Sequence, residues 1–173
     1  MVFDIILWKQ KKYIATKNGL FVFDHNKVEK HLTKKDGLPS NVILDLDAKD
    51  DKELWLATSN GLSKYTGKDF LNFSRKNGLP SKLVTTVHVD RKTPNTVWTG
   101  SENSGLTRYD KNGFFTYATQ DGLPGNSIRD ITQLPDGNLV LAVYNKGVAL
   151  YNGKSFQLID KNLDDKRVII VTE

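Results

Sequence analysis

A motif that returns at a fixed period constrains this chain more than any other feature. The run Asp36-Gly37-Leu38-Pro39-Ser40-Asn41 recurs as Asn77-Gly78-Leu79-Pro80-Ser81-Lys82 and as Asp121-Gly122-Leu123-Pro124-Gly125-Asn126, with a degraded copy at Lys161-Asn162-Leu163-Asp164. The glycine positions lie 41, 44 and, to Asn162, 40 residues apart. A second motif keeps the same phase: Tyr13-Ile14-Ala15-Thr16, Trp55-Leu56-Ala57-Thr58, Trp98-Thr99-Gly100-Ser101 and Val140-Leu141-Ala142-Val143. Its small residues Ala15, Ala57, Gly100 and Ala142 are 42, 43 and 42 apart. Each copy is followed by Gly-Leu or Gly-Val and, four residues after that glycine, a ring: Phe23, Tyr65, Tyr109 or Tyr151. Two motifs held in one phase over four copies mark one supersecondary unit, repeated.

Each unit reads as four short strands. In the second, β-rich stretches at about 42–48, 54–58, 62–66 and 69–73 are separated by polar turns. Asn112-Gly113, Asp136-Gly137 and Asn152-Gly153 supply the left-handed residues that tight hairpins require. No window carries helical apolar spacing, so essentially no helix is expected. Four antiparallel strands in about 40–45 residues is the spacing of a β-propeller blade. A lone four-stranded sheet cannot bury both faces, whereas stacked blades bury one another. The small position beside a large one (Tyr13, Trp55, Trp98) suits sheets meeting about 10 Å apart. A sandwich would not repeat one motif so faithfully, and a solenoid coil is shorter. The expected fold is all-β: a β-propeller of four-stranded antiparallel blades, closed on itself or an arc of a larger propeller. One domain spans 1–173, with units at about 1–36, 37–77, 78–121 and 122–161 and the start of a fifth at 162–173.

Composition removes several functions. The chain is 38% hydrophobic and 26% charged, ordinary for a folded protein rather than a disordered one. With no cysteine there is no disulfide, thiol nucleophile or iron–sulfur cluster. No stretch nears 18 consecutive apolar residues, so no membrane insertion is expected. The start holds only the short apolar run Ile5-Ile6-Leu7-Trp8 and lacks the form of a signal peptide. The net charge of +5 comes from lysines spread along the chain among aspartates, not gathered as a nucleic-acid binder gathers them, so no nucleic-acid partner is expected.

The succession Gly37-Leu38-Pro39, an apolar strand, Leu54-Trp55-Leu56-Ala57-Thr58, then Asn60-Gly61-Leu62 and Tyr65 resembles the two-component regulator propeller repeat. The likeness covers almost the whole chain. The fourth copy departs from it at Val140 and Val143, and the first lacks the Gly-Leu-Pro. The resemblance implies the sensor region of bacterial hybrid histidine kinases, in the periplasm, where such propellers respond to oligosaccharides and other modules carry the phosphorelay. This chain contains no kinase or receiver segment, so it would supply the sensing part.

Antiparallel blades put the loops joining successive units and the turns after Ala-Thr on one face, where propellers usually bind ligands. The Gly, Leu and Pro there read as structural. The variable residues Lys17, Lys35, Arg75, Lys76, Glu102, Asn103, Gln120, Tyr144 and Asn145 are the candidate ligand-binding set. Their cationic bias suits an anionic small ligand such as an acidic sugar. Asn41, Lys82 and Asn126 open the innermost strands, within expected reach of the central channel, the asparagines as turn caps. Trp55 and Trp98 hold the repeat's core position, while Trp8 falls outside the repeat alignment. Phe70, Phe114, Phe115 and Phe156 read as outer-strand packing. His25, His31 and His88 have no metal-ligand spacing, and no hydrolase, P-loop or dinucleotide motif is present. Asp45-Leu46-Asp47 lacks the spacing of a calcium loop. Asp45 and Asp130, with Thr86 between them in order, repeat one inner-strand position, as a carboxylate pair or a structural hydrogen bond would. No catalytic residue, metal or cofactor is expected. The competing functions are a protein-binding scaffold and a propeller lyase or hydrolase. Other expected partners are missing blades, or another copy of the chain, joined through the end strands.

Overall fold

A computed structural model describes residues 1–25 and 27–160. Sixteen strands form four antiparallel sheets of four, each a simple meander in chain order. The first blade holds β1 (Val2–Trp8), β2 (Lys11–Thr16), β3 (Gly19–Asp24) and β4 (Lys27–Leu32). The second holds β5 (Ile43–Asp47), β6 (Leu54–Thr58), β7 (Gly61–Tyr65) and β8 (Phe70–Phe73). The third holds β9 (Val84–Val89), β10 (Val97–Ser101), β11 (Leu106–Asp110) and β12 (Gly113–Tyr117), and the fourth β13 (Ile128–Gln133), β14 (Leu139–Val143), β15 (Gly147–Tyr151) and β16 (Phe156–Asp160). Strands β1, β5, β9 and β13 lie side by side along the inner edge. The architecture is that of a propeller. The degraded Gly-Leu-Pro copy and the start of a fifth unit lie outside the described residues.

The core sits between blades. Because strand side chains alternate between faces, one face of each blade offers the Tyr/Trp, Ala/Gly and Leu positions, and the next blade answers with its other face. Tyr13, Ala15, Leu20 and Val22 of the first blade thus meet Leu46, Leu54, Leu56 and Tyr65 of the second. The small position is needed: a Cβ added to Gly100 would stand 2.6 Å from Thr86 and 2.9 Å from Ile128 of the next blade. Trp55 packs on Phe73 and Tyr109, and Trp98 on Tyr151, as core residues do.

Three details differ from the sequence reading. Trp8 belongs to the core: it is 2% exposed, lies against Tyr13 and Tyr65, and donates through Nε1 to the Asp50 carbonyl of the next blade at 2.8 Å. It does from the inner strand what Trp55 does from the second, so the period of the second motif does not register it. Phe115 points outward, with the Arg108 guanidinium 4.8 Å from its ring centre. Three 3₁₀ turns, Lys34–Asp36, Arg75–Asn77 and Thr119–Asp121, precede the Gly-Leu-Pro glycines. They are too short to leave helical periodicity, but they carry a capping signature: Asp36, Asn77 and Asp121 accept from the backbone N–H three residues back, at Thr33, Ser74 and Ala118.

Among the described residues, the blades form an arc whose first and last faces do not pack on each other. Ile5, Leu7 and Val28 remain 57, 70 and 54% exposed on the first.

Candidate functional site

One face of the arc is built from the two sequence motifs. In the first three blades, the turn after the second strand is organised by a hydroxyl. Thr58 Oγ1 donates to the Gly61 carbonyl at 2.7 Å and accepts from Asn60 N at 3.1 Å; Thr16 does the same in the first blade, and Ser101 makes the corresponding pair with Gly105 and Ser104. Gly61 has φ +112°, and a Cβ there would lie 2.3 Å from the Phe73 carbonyl oxygen, so only glycine fits. The same glycines tie neighbouring blades together: Gly19, Gly61 and Gly105 donate N–H to the carbonyls of Asn41, Lys82 and Asn126. Leu38, Leu79 and Leu123 anchor the Gly-Leu-Pro loops in the core. The two motifs are therefore neighbours on one rigid face, and the loops present their variable residues from a fixed frame.

Within that frame the loops are not equivalent. Asn41 Oδ1 accepts from Lys34 N, and Asn126 Oδ1 from Thr119 N, each capping its own loop as the sequence suggests. Lys82 holds the same position but, lacking an acceptor, is released from that duty. It joins Arg75, Lys76, Ser74, Asn60 and Gly61 around a hollow of about 260 Å³. Among the described residues none of these three cations has an acidic partner. Arg75 and Lys76 are thus brought together, with Lys82 as the third member that the candidate set omits. Lys82 stands where both aligned copies carry asparagine, and that departure is the signal that could have found it.

The other candidates spread along the same face. Arg129, at the start of β13, lies 4.7 Å from the Tyr144 ring centre and 3.9 Å from Glu102, which links those two into one group. Lys17, Lys35, Asn103, Gln120 and Asn145 are exposed in their turns, Asn145 with φ 57°, and form no joint cluster with the Arg75 hollow.

A second hollow, of about 560 Å³, runs along the inner edge, lined by Asp4, Asp45, Asp47, His88, Arg91, Asp130 and Gln133. Here the repeating carboxylate is a structural device. Asp4 accepts from Leu46 N, and Asp45 from Val87 N and Thr86 Oγ1, so each stitches its inner strand to the next. Burial, against the pull of those hydrogen bonds, and the nearby carboxylates of Asp4 and Asp130 push the Asp45 carboxyl well above its ordinary range. Asp47 accepts from Val89 N and pairs with Arg91, and its Oδ2 lies 3.4 Å from His88 Nδ1. Burial lowers the His88 pKa, against the attraction of Asp47, and its Nε2 is buried without a hydrogen-bond partner.

The histidines carry no metal-ligand spacing in the sequence, yet the fold sets His88 beside the Asp47 carboxylate on the inner edge. Asp47 and His88 hold the same register one unit apart, two residues beyond the repeating aspartate. Among the described residues, no cluster of three or more His, Asp or Glu is arranged to hold a metal. The seams on the opposite face form three further grooves, of about 340 to 380 Å³. Three of their cations are paired, Lys64 with Glu53 at 2.8 Å, Lys11 with Glu29 at 2.6 Å and Arg108 with Asp110 at 3.1 Å.

No family model matches the sequence, and no curated protein matches it. Solved structures do. The extracellular domain of BT3049, assigned as a hybrid two-component system of B. thetaiotaomicron, superposes with a TM-score of 0.77 at 20% identity, over 92% of this chain and 24% of that one. The extracellular domain of BT4673 from the same organism gives 0.73 at 23% identity, over 92% and 21%. The WD40 β-propeller domain of Doa1 gives 0.68 at 15%, over 90% and 50%. The fold is therefore a propeller fold shared with extracellular domains of two-component systems. This chain spans about a quarter of the length of the first such domain and a fifth of the second. No helix among the described residues is long and apolar enough to cross a membrane.

Proposed function

We propose that this chain is part of an extracytoplasmic sensor propeller of the two-component regulator repeat family, and that it binds its ligand without chemistry on the face carrying the Gly-Leu-Pro loops. The observation that carries this is the group of uncompensated cations, Arg75, Lys76 and Lys82, set on loops pinned by buried leucines and inter-blade hydrogen bonds. Rigid elements presenting unpaired charge on one face suit recognition of an anion. The fold's occurrence in extracellular domains of two-component systems supports a sensing role, and the unpaired cations suit acidic oligosaccharides as the ligand class. The exposed ring of Tyr144, under Arg129, offers a stacking surface further along the same face.

Titration calorimetry with acidic and neutral oligosaccharides of equal length tests the reading. Saturable heat is expected with the acidic series, reduced at least tenfold in affinity by Arg75→Ala combined with Lys82→Ala. Equal binding of both series, or binding indifferent to those changes, overturns the anionic-ligand assignment.

A further inference from the structure

Two of the three tryptophans have their indole N–H satisfied, and the third does not. Trp8 donates to the Asp50 carbonyl at 2.8 Å and Trp98 to Asp90 Oδ2 at 2.9 Å. Trp55 is 4% exposed, yet among the described residues its Nε1 has no acceptor. A buried indole N–H normally finds one. The reason lies in the repeat. Trp55 pairs with Asp47 across its hairpin and Trp98 with His88, so Lys49 and Asp90, each two residues further on, hold one register. Asp90 turns its carboxylate onto the indole of its own blade. Lys49 has no acceptor to offer and sends its ammonium to the carbonyls of Asp90 and Arg91, at 3.3 and 3.0 Å. Trp55 lines the groove of about 380 Å³ between the second and third blades, on the face opposite the Gly-Leu-Pro loops. Its nitrogen is not sealed beneath the surface, so the N–H is open to that groove.

The charges around the groove favour an anionic acceptor. Its acidic side chains are engaged: Glu53 pairs with Lys64 at 2.8 Å, Asp110 with Arg108 at 3.1 Å, and Asp50 accepts from Lys52 N. Lys49, Lys52 and Lys111 line the same groove, and among the described residues none of the three has an acidic partner. We infer that this groove binds a small organic acid, whose carboxylate accepts from Trp55 Nε1 the hydrogen bond that Asp90 accepts from Trp98. The third blade carries in its own chain the group that the second takes from solution. A carboxylate accepting from the indole makes a charge-assisted hydrogen bond, and the lysines draw the anion to the rim. The volume lies within the range of small-molecule sites. The site is on the other face from the hollow of Arg75, Lys76 and Lys82 and does not depend on it.

The test follows the indole N–H resonances of the intact chain, in nitrogen–proton correlation spectra, while succinate is added. The Trp55 signal is expected to move saturably, whereas that of Trp98, already bonded to Asp90, stays in place. Neither succinamide nor sodium chloride at matched ionic strength is expected to reproduce the movement. Lys49→Asp supplies the acceptor from within the chain and is expected to abolish the response. Lys52→Gln combined with Lys111→Gln, both at exposed sites, is expected to weaken succinate binding about fivefold. Circular dichroism shows whether each variant folds, and the glutamine pair decides where Lys49→Asp does not. A Trp55 signal that stays still overturns the inference. So does a movement matched by succinamide or by salt, or shared equally by Trp98. A full response in folded Lys49→Asp, or one indifferent to the glutamine pair, overturns it as well.

Discussion

The receiving faces of the first two blades differ above all in whether a neighbour covers them, and that difference explains most of the molecule's architecture. Both are sheets of the same four-strand meander with apolar side chains at matched positions. Leu46, Leu54, Leu56 and Tyr65 vanish into the seam beneath Tyr13, Ala15, Leu20 and Val22, while Ile5, Leu7 and Val28 stand open. Stability in a repeat protein comes from such interfaces, each unit burying its neighbour's face. An apolar face therefore marks where a neighbour belongs even where none is present. The comparison also separates packing from recognition: the variable cations lie on the loops, off both sheet faces, so the seams can repeat while the loop face diverges.

The largest expected effect breaks the comparison at its covered side. Leu56→Ala removes a fully buried side chain from the seam and leaves a cavity, a loss of about 2–5 kcal/mol. Leu7→Ala, on the same face of the uncovered blade, is expected to move stability by less than about 0.5 kcal/mol in the monomer. Urea titrations of the two variants check the contrast. Equal losses would mean that the first blade's face is covered after all.

A smaller effect concerns closeness rather than area. Gly100→Ala places a methyl within 3 Å of Thr86 and Ile128, in a seam with no room to give. Overpacking of this kind costs about 1–3 kcal/mol. Thermal melts read the loss, and a neutral result would show that the third and fourth blades can part where the others cannot.

How much of this was legible in the sequence follows from what repeats. Strand order, turn glycines and buried leucines return every unit, and periodicity exposes them. Trp8 was misplaced because it fills the first seam from a position that Lys49 and Asp90 hold in the next blades. The 3₁₀ turns were missed because three residues carry no period, though the Thr33–Asp36 and Ser74–Asn77 pairs record them. The Asp47–His88 pair was missed because it arises between units, from residues of different type at one register, and only the stacking of inner strands brings them together. Lys82 went unselected for a related reason: its meaning lies in the cap it fails to make.

The last effect lies where the covered seam meets the inner hollow, and it is a matter of pH. Asp45 holds the second and third blades together through Val87 N and Thr86 Oγ1, yet burial and the carboxylates of Asp4 and Asp130 raise its pKa above the ordinary 3.8. A group with a raised folded pKa binds its proton more tightly in the folded state, so its contribution is fully present below 3.8 and is lost as the pH rises through the raised value. Asp45→Asn keeps an acceptor for Val87 N and removes the charge. The variant is expected to match the wild type or fall slightly below it in acid and to gain on it steadily through neutral to alkaline pH. His88 works in the opposite sense: its lowered pKa means that stability is lost as falling pH protonates the ring, and Asp45→Asn leaves that acid limb in place. Melting temperatures of both proteins from pH 4 to pH 9 separate the two limbs. A difference between them that does not change with pH would mean that Asp45 is ionised throughout, its hydrogen bonds to the third blade outweighing the cost of its burial.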